Sequence, residues 1–321
     1  MRKATLASLL FLIATMSSGS GALAAQPPPG QTGTGAAEED IALGKLAALE
    51  LAFRVRTDAE LAKYRTFRSE GNWERAYETY LGVERLKDEI TARYLEYIAE
   101  HPESAAAYNQ LGLISYEIER GDDARFYWER AIELKPDFAA AHNNLATYYG
   151  HEGQPKKALL GLRKAIELDP KQAVFHLNLA TEYYTSRQHA MELFGWDLPR
   201  VFEEVMNEHR VARELEPHNF NYAKQYAETF YAAKYFEVEP DWEESIRGWY
   251  RALETDLTEN NKAYVYFQIA RAHLQRNERA KAREVLEKLA PWMKEQKQFE
   301  MLWKRATEPD ATQDPDKDSG E

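Results

Sequence analysis

Cysteine is absent from all 321 residues. Disulfides, thiolate metal sites and a cysteine nucleophile are excluded together, and so is a bacterial lipoprotein, whose lipid is attached to cysteine. Positive charge is scarce as well. Lys and Arg number 41 against 53 Asp and Glu, for a formal net charge of -12. A surface that acidic repels phosphate backbones and argues against nucleic acid as a partner. Long apolar runs are missing too: the stretch from Leu6 to Met16 falls short of the ~20 residues that span a bilayer, and no second candidate follows it. Nor does the chain contain a His-Glu-x-x-His pair, a Gly-x-Ser-x-Gly elbow, a phosphate-binding glycine loop or a dinucleotide fingerprint. The sequence therefore predicts no catalytic residue, no metal site and no cofactor.

What is present begins with a targeting pattern. Arg2 and Lys3 precede the apolar run, Ser17 to Gly21 are small, and Ala22-Leu23-Ala24 fits a signal-peptidase site. Residues 1–25 are expected to act as a cleaved signal peptide, leaving a periplasmic or secreted protein that starts at Ala25 or Gln26 and has no integral membrane segment. Residues 26–37 (QPPPGQTGTGAA) open with prolines and glycines and read as a flexible linker. At the far end, 307–321 is acidic and lacks large apolar residues, which predicts a disordered tail. Between these ends the pattern is helix after helix.

The organising signal is repetition. With Ala105–Phe138 laid above Ala139–Gln172, an offset of 34 residues, Leu111 meets Leu145, Gly112 meets Ala146, Ala124 meets Ala158, Ala131 meets Ala165 and Pro136 meets Pro170. Small residues at Gly112, Ala146, Ala124 and Ala158 let paired helices approach closely. Trp128 and Leu162 fill the space beside them, and the prolines stop the second helix. A third unit starts at Ala173 and ends at Pro217, 13 residues later than a regular unit would. A fourth uses Tyr226, Ala227, Phe230, Ser245, Trp249 and Ala252. A fifth uses Ile269, Ala270, His273, Ala282, Leu286 and Leu289. Domain bounds follow: 38–104 for N-terminal helices, with Glu70–Tyr80 as part of a divergent unit and Ile90–Glu100 as an extra helix, then 105–306 for the array. Insertions fall near 186–200 and within the 220–257 unit.

These residues and spacings resemble the tetratricopeptide repeat family. The resemblance implies an all-α fold, a right-handed α-solenoid of antiparallel helix pairs, in which the first helix of each pair lines a concave groove. Carried over position by position, the groove would use Asn109, Tyr116, Asn143, Thr147, His151, Thr181, Tyr184, Lys224, Tyr231 and Arg271. Tyr116, Tyr184 and Tyr231 would form an aromatic column, while Gln110, Asn144 and Asn178 would be structural. The inserted Phe194 and Trp196 have no place in the repeat, and the segment carrying them is expected to project and help close the groove, with a plug packed over a neighbouring helix pair as the alternative. Asp197, two residues before Pro199, is the expected N-cap of the next helix.

His142 and His176 lie one repeat apart and, with His273, are read as packing residues, whereas His101, His209 and His218 fall near helix ends. The implied function is a non-catalytic scaffold or assembly factor that holds a protein or peptide partner, expected to be a cell-envelope component. Self-association is a further expectation. The alternatives are a helical-scaffold enzyme acting on envelope glycan or lipid, and a self-assembling structural subunit.

Overall fold

A computed structural model describes residues 34–255, 257–293 and 296–307. Among them are fourteen α-helices and one 3-10 helix, with no strand, and no helix is long and apolar enough to cross a membrane. Two compact units meet in sequence at Tyr148. The signal-type segment 1–25 and the tail after Thr307 lie outside the described residues. Of the linker expected over 26–37, the last four residues are already the first turn of helix α1 (Thr34–Ser69).

Unit 1 continues with α2 (Trp73–Glu100), α3 (Ala105–Glu117), α4 (Gly121–Leu134) and most of α5 (Ala139–His151). Proline sets where its helices stop. It disfavours the α conformation in the residue before it, and His101 and Lys135 accordingly sit at φ -130° and -138°. Each still donates its amide to a carbonyl four residues back, Tyr97 and Ala131 respectively. Pro102 is thus in register with Pro136 and Pro170. This corrects the reading of Ile90–Glu100 as a separate extra helix: it is the repeat-register half of the continuous α2. Tyr94 stands 34 residues before Trp128, and both are buried. Glu70–Tyr80 lies outside that register, and Tyr80 is exposed.

Close approach at Gly112 holds the next pair. A Cβ there would lie 2.5 Å from Trp128 Nε1, so only glycine lets the indole lie flat on α3. From that seat Trp128 Nε1 donates to the Asn109 carbonyl at 3.1 Å. Burying a side chain of this size contributes about 2–3 kcal/mol.

Helix α1 is fastened by charge as well as by packing. Buried Glu50 accepts from Arg54 Nε (3.0 Å), from Gln110 Nε2 on α3 (2.7 Å) and from the Tyr94 hydroxyl on α2 (2.7 Å). Arg54 reaches on to Glu117 at 2.7 Å. Burial works to lower the Arg54 pKa, but Glu117 and Glu50 more than offset it and hold it above its ordinary value. Burial and the neighbouring Glu50 carboxylate push the Tyr94 hydroxyl well up.

Unit 2 comprises α6 (Pro155–Leu168), α7 (Ala173–Thr185), α8 (Arg187–Phe194), α9 (Leu198–Leu215), α10 (Phe220–Thr229), the 3-10 helix Phe230–Phe236, α11 (Trp242–Ala252), α12 (Glu259–Gln275), α13 (Arg279–Met293) and α14 (Lys297–Thr307). Pairing runs α7 with α9, α10 with α11 and α12 with α13. The two expected insertions are α8 with its Gly195 turn, and the 3-10 helix. Keyed residues of the fourth and fifth units, among them Ala227, Trp249, Ala252, Ile269, Ala282 and Leu286, share one buried cluster. Phe299, Leu302 and Ala306 of α14 close its end. In the third unit the large-residue place falls to His209, three residues before Ala212 as Trp128 is before Ala131. The ring is buried in α9, with Nδ1 unpartnered, so it does not meet free carbonyls at a helix end.

Candidate functional site

The first helices of unit 2 bring most of their expected site residues together. On α10 and the 3-10 helix these are Lys224 and Tyr231; on α12 it is Arg271. Tyr264 of α12 donates to Glu228 of α10, and Lys224 Nζ lies 3.8 Å from that carboxylate and 5.4 Å from the Tyr264 ring centre. The Tyr231 hydroxyl donates to the Gln268 carbonyl at 3.1 Å. Arg271 lies over the Tyr231 ring at 4.6 Å and donates to Gln268 Oε1 at 2.8 Å. Burial pushes the Tyr231 hydroxyl up to about 12, against the opposing pull of Arg271. Tyr264 and Gln268 did not figure in the expectation. Their spacing from Arg271, at i, i+4 and i+7, puts all three on one face of α12.

Helix α7 adds Thr181, Tyr184 and Thr185. Both threonine hydroxyls donate to carbonyls of their own helix, of Leu177 and Thr181, at 2.9 Å. Tyr184 keeps 37% of its surface exposed while its ring lies 5.6 Å from Phe236 of the 3-10 helix. That short helix therefore connects the Tyr184 patch with the Tyr231 cluster.

Unit 1 does not present its expected residues in the same way. Asn109 and Asn143 are buried, not exposed. Asn144 donates to the Asn109 side chain at 3.0 Å and accepts from Asn143 at 3.3 Å, so the asparagines bond to one another across α3 and α5. Thr147 donates to the Asn143 carbonyl at 2.9 Å. Tyr116 packs 5.8 Å from Trp128 and 6.3 Å from Tyr148. With Tyr231 half-buried under Trp242 at 4.9 Å, the aromatic column reduces to one outward ring, Tyr184. His151 is the exposed last residue of α5.

The inserted aromatics turn inward. Phe194 and Trp196 lie 6.2 and 5.6 Å from buried Tyr183, and Arg163 of α6 covers Phe194 at 4.6 Å. Instead of projecting, the segment folds as α8 and packs on the α6 and α7 helices. Its amphipathic run gives it a helix to form, and Gly195, at φ +69°, supplies the left-handed cap that ends it. Asp197 caps α9 as expected, accepting from the Arg200 amide at 2.9 Å.

Tetratricopeptide repeat patterns match residues 105–138 and 127–159, and the first has the bounds of the unit read from the sequence. The chain carries tetratricopeptide repeats over residues 105–159. Its all-α helix-pair architecture is that of solenoids of this type. The crystal structure of YrrB, described as a TPR protein with an unusual peptide-binding site, has 16% sequence identity and a TM-score of 0.50, covering 65% of this chain and 96% of YrrB. The pilF protein of Pseudomonas aeruginosa has 12% identity and a TM-score of 0.49, covering 78% and 97%. MamA has 15% identity and a TM-score of 0.41, covering 56% and 92%. No curated protein sequence matches the chain.

The histidines of the chain are tied into the repeat frame. His142 bonds the Pro136 carbonyl and His176 the Pro170 carbonyl, each at 2.9 Å and six residues back. His176 also meets Glu208 at 2.5 Å. Burial works to lower its pKa, but the bonds to Glu208 and Pro170 prevail and raise it. His273 pairs with Glu278 at 2.7 Å, an interaction that helps hold the Glu278 carboxyl down at about 2. Among the described residues no group of three or more His, Cys, Asp or Glu side chains is placed to hold a metal ion.

Proposed function

We propose that the chain is an exported, non-catalytic scaffold of the cell envelope that holds a segment of a protein partner against the first-helix face of unit 2. Arrays of this repeat act as protein-interaction scaffolds. The observation that carries the finer reading is the Lys224–Tyr231–Arg271 cluster, with the outward Tyr184 ring packed on Phe236 at the other end of the same 3-10 helix. In a chain of net charge -12, Lys224 and Arg271 offer donors to the carbonyls or a carboxylate of an incoming segment. Tyr184 offers a ring face to an apolar side chain. The description of YrrB as having a peptide-binding site agrees with this reading; the likeness is one of fold, and the argument rests on the side chains named. Export is supported by the Met1–Ala24 pattern.

A photo-crosslinking residue at Thr181 is expected to capture a partner in the native cell that the same probe at Leu160, exposed on α6, does not. With that partner purified, Tyr184→Ala is expected to weaken binding about fivefold, the worth of one ~1 kcal/mol stacking contact, with the melting temperature unchanged. Equal capture from Leu160, or full affinity in Tyr184→Ala, would refute the assignment of the face. Export is checked separately. Intact mass of envelope protein should place the N-terminus at Ala25 or Gln26, and a retained Met1 would refute the periplasmic reading.

A further inference from the structure

We propose that unit 1 carries a self-association surface, the outer face of the first half of α2, and that its occupant is the same face of a second copy of the chain. Trp73, Tyr77, Tyr80 and Leu81 recur at helical spacing and keep 64%, 62%, 44% and 37% of their surfaces exposed. The inward requirement of the hairpin is met by other residues, Ala76 and Val83, both buried. Tyr80 leans on Tyr64 of α1 at 6.4 Å and is still largely outward. Trp73 and Tyr77 are thus surplus to the packing of α1 on α2, and Tyr80 and Leu81 are only partly used by it.

The stripe continues a face that already packs. Asp88 lies seven residues past Leu81 and eleven past Tyr77, on the same side of α2. Its carboxylate is 3.3 Å from Arg120 at the head of α4. Because α2 has 28 residues where α3 and α4 have 13 and 14, the face runs on past the pair it supports. A pair of helices cannot cover both its faces alone, and stacking is how this architecture covers them.

Charge and area select a second copy as the occupant. Residues 55–86 hold six basic and six acidic side chains, a balance of zero inside a chain of -12. Here two copies can meet without the net repulsion that separates the rest of their surfaces. The charges are also divided, with four basic against two acidic over 55–69 and two basic against four acidic over 70–86. A two-fold contact, in which the same patch serves both partners, can therefore set the α1 surplus of one copy against the α2 deficit of the other. The exposed parts of the four side chains amount to roughly 450 Å² per copy, or roughly 900 Å² for the pair. That is about the apolar share of a standard interface of ~1,600 Å².

Sedimentation velocity of the full chain, from low to high micromolar concentration, tests the proposal. The wild type is expected to dimerise. Trp73→Glu with Tyr77→Glu should weaken the dimer by about 100-fold, while Phe126→Glu, at an exposed position on α4, should leave it intact. Since the chain has no cysteine of its own, Tyr77→Cys supplies a second measurement: a short bis-maleimide should link two copies covalently, and the same substitution at Phe126 should not. A wild type that stays monomeric throughout overturns the proposal. So does a dimer that the double substitution leaves intact, or equal linking from both cysteines.

Discussion

Replacing Glu50 with alanine is expected to destabilise unit 1 by about 2–4 kcal/mol, the cost of stranding the donors that its buried carboxylate accepts from. The carboxylate is the common acceptor of a guanidinium, a phenol and an amide that arrive from α1, α2 and α3. Alanine leaves the Tyr94 hydroxyl and the Gln110 amide without that acceptor. It also leaves Arg54 with Glu117 alone. Each donor so stranded costs about 1–3 kcal/mol. The loss should appear as a lower urea midpoint and as faster hydrogen exchange concentrated in α1. Glu60→Ala, which breaks only the exposed pair with Lys63, should change stability by less than ~1 kcal/mol. A wild-type midpoint in Glu50→Ala would show that packing alone holds α1.

The second large effect is expected from acid acting on unit 2. Burial holds the His209 imidazole neutral and lowers its pKa to about 4, and its Nδ1 has no partner to ease a charge. One turn on, Arg213 is buried over the Tyr226 ring at 4.1 Å and offers no acceptor. A folded-state pKa below the unfolded value means that the unfolded chain takes up the proton first. Stability is therefore intact above pH ~6.5 and falls as the pH drops towards 4, by roughly 3 kcal/mol in all. His209→Leu puts in this place the residue that Leu162 supplies one repeat earlier. It should leave the urea midpoint at neutral pH unchanged or raised, and should flatten its decline to about pH 4.5. Parallel declines in the two proteins would show that His209 is not the group responsible.

Periodic constraints were legible in the sequence, and pairings set by distant segments were not. Proline and small-residue positions are dictated by local backbone geometry, so the 34-residue spacing located the α3–α4 pair and the α6, α7 and α9 helices, with the 13-residue offset pointing to α8. The same register reaches Pro102 and Tyr94. It was obscured because an uninterrupted helix, α2, carries the repeat half and a longer extension without a break. Site residues fared unevenly for a related reason. Position in a repeat says which way a side chain leaves its helix, not what meets it there. Tyr116 and Tyr184 occupy equivalent positions, yet Trp128 and Tyr148 cover the first and the second stays open. Asn109 and Asn143 turned inward because Asn144 gave them a polar partner. Trp196 could be placed only once Tyr183 was known to lie beneath it.

The long first hairpin has a mechanical consequence. Glu50 anchors α1 near its middle, and the helix runs on to Ser69, roughly 28 Å further at 1.5 Å per residue. With its partner α2 it forms a stiff arm, because antiparallel helices side by side resist bending far better than a loop of equal length. A tilt of ~10° at the anchor would sweep the far end through ~5 Å over that length. Small changes around Glu50, Arg54 and Glu117 are thereby magnified at the far end, and load applied at that end returns to the Glu50 anchor as torque.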